Sequence, residues 1–221
     1  MLGAFKAGVM GAAGGGGGLP LQGVVFHPLD DNAASYACDI TANNATIVGS
    51  APTNVSSPTK GYSHAVELAP ANTNIEARHT TVAETLVTAH CWVRPKGSPG
   101  GAGMTLRKAS DNNVAYSCYW DTTTAYLYTP SGGNIASLSY AIAADTWVHL
   151  CLMITGGTAY AFADGVLVGS TSALTYSTNL FGSVGYRHGS GYGNNLYAQA
   201  LQVHDDAYFS TSGFTPPNPP Y

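Results

Sequence analysis

Side chains able to do acid–base or nucleophilic chemistry are few and scattered in this chain. The glutamates Glu67, Glu76 and Glu84 each stand alone, whereas a retaining glycosidase needs two carboxyls about 5 Å apart. No G-x-S-x-G elbow or H-E-x-x-H pair is present to suggest another hydrolase. Ring surface, by contrast, is plentiful, with 14 tyrosines and 3 tryptophans. Aromatic rings stack on flat apolar faces while amides and charged groups order hydroxyls, which suits a sugar-like ligand. Two groups qualify. Tyr116, Tyr119, Trp120, Tyr126 and Tyr128 lie on segments that read as paired strands. Tyr186, Arg187, His188, Tyr192, Asn194, Asn195 and Tyr197 surround a glycine-rich loop. The loop group is the preferred glycan-binding set, because loops on a rigid scaffold commonly carry recognition. The competing reading is that these tyrosines only cover a sheet face or a subunit interface.

Oxygen clusters that could hold a hard cation are Asp30 with Asp31, Asp111 with Asn112, and Asp205 with Asp206, although acidic turn residues are more often simple turn formers. Cys38, Cys91, Cys118 and Cys151 lack close spacing, so zinc is not expected and buried free thiols are. Disulfides Cys91–Cys118 or Cys118–Cys151 would require neighbouring strands. Trp92 and Trp147 read as core anchors, and His149 as a satisfied core histidine.

Composition narrows the class. Only 9% of residues are charged, against roughly a quarter in ordinary globular domains. Glycine, alanine and neutral polar residues take up the difference, which suits an all-β chain with many turns. A net charge of −4 with dispersed Lys and Arg offers no field for nucleic acid. No segment approaches the ~18 apolar residues of a membrane span.

The positioning elements are short strands. Trp147 to Ile154 is an apolar run of strand length, expected to be covered on both faces. Gly156-Gly157 turns the chain into Thr158 to Ala163. Asp164-Gly165 then supplies the two positive-φ positions of a type I′ hairpin before Val166 to Ser170. Further strands are expected at 24–29, 40–49, 63–68, 75–79, 85–94, 104–108, 114–120, 125–129, 135–140, 180–186 and 196–204, and a loop at 51–60. Turn signals every eight to twelve residues imply a two-sheet antiparallel sandwich or jelly roll. The organisation reads as a glycine-rich arm (1–22), a sandwich (23–212) and a proline-rich tail (213–221). The arm lacks the apolar centre and cleavage site of a secretory leader.

Several segments, taken in order, resemble the concanavalin A-like lectin/glucanase superfamily in its laminin-G-like branch. FHPLDDN (26–32) is similar to an opening strand with an acidic turn, and GYSHAVEL (61–68) to the "g-x-A-l-x-f" strand. TLVTAHCWVRPKG (85–97) resembles "f-t-i-s-a-W-v-r-p". DTWVHLCLMI with AYAFADGVLVGS matches "W-x-H-v-a … l-Y-v-D-G-x-x-v", the most specific part. LFGSVGY (180–186) and NNLYAQALQVHDDAYFS (194–210) are similar to the closing strands. The family's hydrolases carry glutamates at E-x-D-x-x-E spacing, which this chain does not reproduce, so the resemblance implies a member that is not an enzyme. Calcium, common in laminin-G-like domains, is the only cofactor it suggests, with no ligand set assigned.

Low charge, the arm and a lectin-like sandwich without paired carboxylates together point to a virion structural protein. A tailed bacteriophage is the expected source, and a capsid decoration, head fibre or tail appendage the expected role. In that reading Met1, Leu2, Phe5, Lys6, Val9, Met10, Gly14 and Gly18 of the arm bind other virion proteins. The sandwich is displayed outward and contacts host glycans, and the chain is a homo-oligomer. Unpaired cysteines and the missing leader fit assembly in the host cytoplasm. Neither nucleic acid nor membrane is an expected partner. The alternative is a free carbohydrate-binding module or lectin.

Overall fold

The computed structural model describes residues 25–27, 29, 46–49, 52–68, 73–77, 85–97, 101–120, 124–135, 140–176, 178–187, 191–192 and 195–219. The chain is all-β, with no helix among the described residues. In chain order the strands are β1 (Val25–His27), β2 (Thr46–Gly49), β3 (Thr53–Val55), β4 (Ala65–Leu68), β5 (Thr73–Ala77), β6 (Val87–Pro95), β7 (Gly101–Lys108), β8 (Val114–Trp120) and β9 (Ala125–Thr129). They continue with β10 (Gly133–Ile135), β11 (Val148–Thr155), β12 (Thr158–Ala163), β13 (Val166–Ser172), β14 (Leu180–Val184), β15 (Tyr186–Arg187), β16 (Gly191–Tyr192) and β17 (Leu196–His204).

Two antiparallel sheets form the sandwich. Sheet I runs β13-β12-β11-β6-β17-β4-β3, with β1 on β17 beyond β4. Sheet II runs β10-β9-β8-β7-β14-β5-β2. The meander β11–β12–β13 forms as its turn chemistry predicts: φ is 56° and 74° at Gly156 and Gly157, and 47° and 75° at Asp164 and Gly165. Expected strands at 114–120, 125–129 and 196–204 match β8, β9 and β17. The expected loop at 51–60 contains β3, and the strand expected at 104–108 already begins at Gly101.

Alternation sorts side chains between the core and the two outer faces. Leu150, Leu152, Cys91 and Val93 of sheet I meet Met104, Leu106, Cys118 and Leu127 of sheet II, all within 1% of full burial. Each such aliphatic side chain contributes about 1.5–3 kcal/mol by leaving water. The sheets approach closely at Gly103, where a Cβ would run into Leu150 Cδ1, and at Gly182, where it would sit 2.7 Å from Val203 Cγ2. Cys91, Cys118 and Cys151 are buried free thiols, and burial pushes Cys118 up to about 12. The two disulfides considered from the sequence do not form. Cys38 lies outside the described residues.

β17 carries a bulge between Gln199 and Gln202, with Ala200 at φ 56°. Gln199, Gln202 and His204 therefore all face outward opposite Trp92, His90 and Thr88, while Leu201 and Val203 enter the core. The same alternation locates buried Trp92. With Cys91 and Val93 pointing inward, Trp92 points outward and joins a satellite cluster with Ala200, Tyr62 and Trp147.

The outer face of sheet I is covered by the chain's own C-terminal residues. Thr88 Oγ1 donates to Asp206 O (2.7 Å) and accepts from Tyr208 N (3.1 Å). Phe214 N donates to Gly165 O (3.1 Å), and Trp92 Nε1 to Pro217 O (3.0 Å). Phe209 and Phe214 stack at 3.9 Å over Cys151, Met153 and Phe162. β11 is thus covered on both sides, as its unbroken apolar run predicts.

Candidate functional site

Sheet II carries a polar row across its outer face. In register, Glu76 lies opposite Ser183, Ser183 opposite Thr105, Thr105 opposite Ser117, Ser117 opposite Tyr128, and Tyr128 opposite Asn134. The row spans β5, β14, β7, β8, β9 and β10, one residue from each strand. The hydroxyls of Thr105 and Ser117 are 3.1 Å apart. Arg107 Nη1 donates to Glu76 Oε1, and its guanidinium lies 5.3 Å from the Phe181 ring centroid. Arg107 Nε also donates to Asn112 O (2.8 Å). Both charges of the pair are buried, with side-chain exposure of 7% and 1%. The partnership neutralises charge that would otherwise be costly to bury.

Towards the β9–β10 edge the row opens onto rings. Tyr119 and Tyr126 face each other across β8 and β9, half-exposed, with centroids 5.5 Å apart and planes 29° apart. Tyr128 meets Tyr119 edge-on at 6.4 Å, and Asn134 is exposed beside it. The hydroxyls of Thr105, Ser117 and Ser183 are fully buried, so it is the rings of Tyr119 and Tyr126 and the Asn134 amide, on one rigid sheet, that can stack a ring-shaped ligand and bind its hydroxyls.

The sequence-predicted residues divide. Of the strand aromatics, Tyr116 and Trp120 turn into the core at 1% and 2% exposure, while Tyr119, Tyr126 and Tyr128 face outward. Of the loop group, Tyr186 and Arg187 form β15 and pair with Tyr192 and Gly191 of β16. Gly185, at φ 88°, turns β14 into β15, and its amide donates to Gly103 O (3.3 Å). That hairpin therefore sits at the same end of sheet II as Tyr119, whose partner is Ala102. His188 and Asn194 lie outside the described residues. Asn195 is exposed, and its carbonyl accepts the Lys96 amide (2.8 Å). Tyr197 is on the other sheet, with Arg94 and Lys96 at 6.0 and 5.2 Å from its ring. The arm residues Met1, Leu2, Phe5, Lys6, Val9, Met10, Gly14 and Gly18 also lie outside the described residues. Arg107, Thr105, Ser117 and Ser183 went unnoticed in the sequence, where Glu76 reads as an isolated glutamate, and only strand register aligns the five.

The two described glutamates lie on different sheets. Glu67 is bound by Lys96 on sheet I, and its hydrogen bond raises the lysine's pKa; Glu76 is bound by Arg107 on sheet II. Glu84 lies outside the described residues. Of the cation candidates, Asp111 accepts from Lys108 Nζ (2.7 Å) and Asn113 N (3.0 Å). Those bonds hold its carboxyl down at about 2. Burial and Asp205 raise Asp206, while Asp30 and Asp31 lie outside the described residues. Among the described residues no group of three His, Cys, Asp or Glu side chains is arranged to hold a metal.

The fold recurs in known structures at low identity. Domain 4 of AbnA, a GH43 extracellular arabinanase from Geobacillus stearothermophilus, in complex with arabinotriose, is similar with a TM-score of 0.62 and 16% identity, over 82% of this chain and 91% of that one. Trypanosoma rangeli sialidase matches with a TM-score of 0.66 and 10% identity, over 85% of this chain and 31% of the enzyme. The receptor-binding domain of botulinum neurotoxin type G matches with a TM-score of 0.58 and 13% identity, over 86% of this chain and 49% of that one. No curated protein matches by sequence. A laminin G family model, described as the concanavalin A-like lectin/glucanases superfamily, matches residues 69–211. Matched over more than half its length and built as the predicted two-sheet sandwich, the chain belongs to the concanavalin A-like lectin/glucanases superfamily.

Proposed function

We propose that the chain is a non-enzymatic glycan-recognition sandwich of a virus particle, that of a tailed bacteriophage, attached through residues 1–22 and displaying sheet II outward. The observation that carries the recognition half is the Tyr119–Tyr126 pair beside Tyr128 and Asn134, at the open end of the hydroxyl row. With Arg107 neutralised by Glu76, the row favours a neutral sugar over an acidic one. The arabinotriose held by the arabinanase domain supports a sugar ligand for this fold. Support for the particle comes from the sequence: 9% charged residues and five successive glycines in the arm.

A glycan array followed by titration tests recognition. Tyr119→Ala and Tyr126→Ala are each expected to weaken binding about tenfold, or ~1.4 kcal/mol, without unfolding the domain. Unchanged affinity in both variants would sink the assignment. Deleting residues 2–18 tests attachment, and normal incorporation of the shortened chain into particles would sink that half. The coverage of 91% of the arabinanase domain favours a second reading, a free carbohydrate-binding module, which predicts sugar binding with no particle to join.

A further inference from the structure

The outer face of sheet I holds three buried imidazoles in a line. His90 Nε2 lies 3.1 Å from His204 Nε2, and His90 Nδ1 lies 3.0 Å from His149 Nε2. All three are within 1% of full burial. His149 Nδ1, at one end of the line, is buried without a hydrogen-bond partner. The C-terminal residues close over this line as a strap. Tyr208 lies on His204 at 3.9 Å, Phe209 meets His90 edge-on at 5.0 Å, and Phe214 meets His149 edge-on at 5.8 Å.

Proton bookkeeping makes the closed line intolerant of acid. Each neutral imidazole brings one N–H and one bare nitrogen. Two N–H groups are used in the two inter-ring bonds, and the third must sit at one end. An N–H on His149 Nδ1 would be a buried donor with no acceptor, so the neutral line runs with His149 donating to His90 and His90 to His204. A fourth proton has to go onto His149 Nδ1, where nothing accepts it and its charge is surrounded by rings.

We propose that residues 205–217 form an acid-released latch keyed by His90, His149 and His204, which opens below neutral pH and uncovers the aromatic face of sheet I. The groups facing the line do not rescue its charge. From β11 and β6 come Cys151 and Trp92, and Lys60 lies over that tryptophan at 4.5 Å. From β17 comes the neutral Gln202. Asp164, in the β12–β13 turn, spends its two oxygens on His149 N (2.8 Å) and the Tyr140 hydroxyl (2.5 Å). In the strap, burial and Asp205 favour the neutral form of Asp206, and burial and Asp206 raise Tyr208.

Burial lowers His149 and His204 to about 3 and, with the neighbouring imidazoles, takes His90 well below 6.5. Depressed values give the closed form stability that is complete above about 6.5 and is lost as the pH falls towards about 3. In that window each histidine favours opening about tenfold per pH unit.

Hydrogen-exchange protection factors of the full chain at pH 7.5 and 4.5 test the latch. Protection at the Tyr208 and Phe214 amides is expected to fall more than tenfold, while Leu150 and Val203 change less than threefold. The double variant His149→Phe/His204→Phe keeps the rings and removes two titrating groups, and its strap should lose most of that pH dependence. Strap and sheet amides losing protection together would overturn the proposal, as would a wild-type profile in the double variant. If that variant does not fold, the wild-type comparison alone decides.

Discussion

The outer faces of the two sheets start from the same alternation and are finished differently. Sheet I turns Trp92, His90, His149 and Phe162 outward and covers them with the chain's own residues 205–217. Sheet II turns out hydroxyls, one neutralised ion pair and three tyrosines, and leaves Tyr119 and Tyr126 half-exposed. A ring-rich apolar face is costly to leave in water, so it is buried intramolecularly. On sheet II the hydroxyls of Thr105, Ser117 and Ser183 are buried as well, and only the rings of Tyr119 and Tyr126 with exposed Asn134 stay open to exchange water for a ligand.

Four variants probe this contrast. Arg107→Ala strands the buried Glu76 carboxylate and is expected to cost about 3–5 kcal/mol in urea unfolding. The double change Arg107→Met/Glu76→Leu should cost far less; equal losses would mean the face depends on the cation for more than pairing. Gly165→Ala acts on sheet I, where a Cβ would stand 1.8 Å from Phe214 O at a φ of 75°. A cost of about 1–3 kcal/mol and faster proteolysis of the strap are expected, with sugar binding unchanged. Loss of sugar binding would couple the faces that the structure separates. Tyr197→Ala should cost only about 0.5–1 kcal/mol and leave sugar titrations unaltered; abolished binding would move the site to sheet I.

Much of the scaffold was legible because its signals are local. Asp164-Gly165 specifies a turn, the run before Thr155 a covered strand, and the segments at 114–120 and 125–129 a hairpin. The sites were less legible because register assembles them. His90 pairs with His149 across 59 residues and with His204 across 114. Nothing near His149 signalled a line of imidazoles, so it was expected to be satisfied, yet one ring nitrogen has no partner. Trp92 is buried as its size suggests, but the sequence does not show which cluster it anchors: it packs on the outer side of sheet I, under Lys60 and beside Pro217. Tyr197 looked like a ligand contact because its neighbours in sequence are loop residues, but its neighbours in space are Arg94 and Lys96.

The bulge at Ala200 works as a phase shift in β17. Residues before it and after it keep the same inward–outward rhythm, offset by one step. Counted from Leu196 without the shift, His204 falls among the core positions and Val203 on the surface. One additional residue of backbone therefore decides whether the third imidazole meets the other two or is stranded between the sheets.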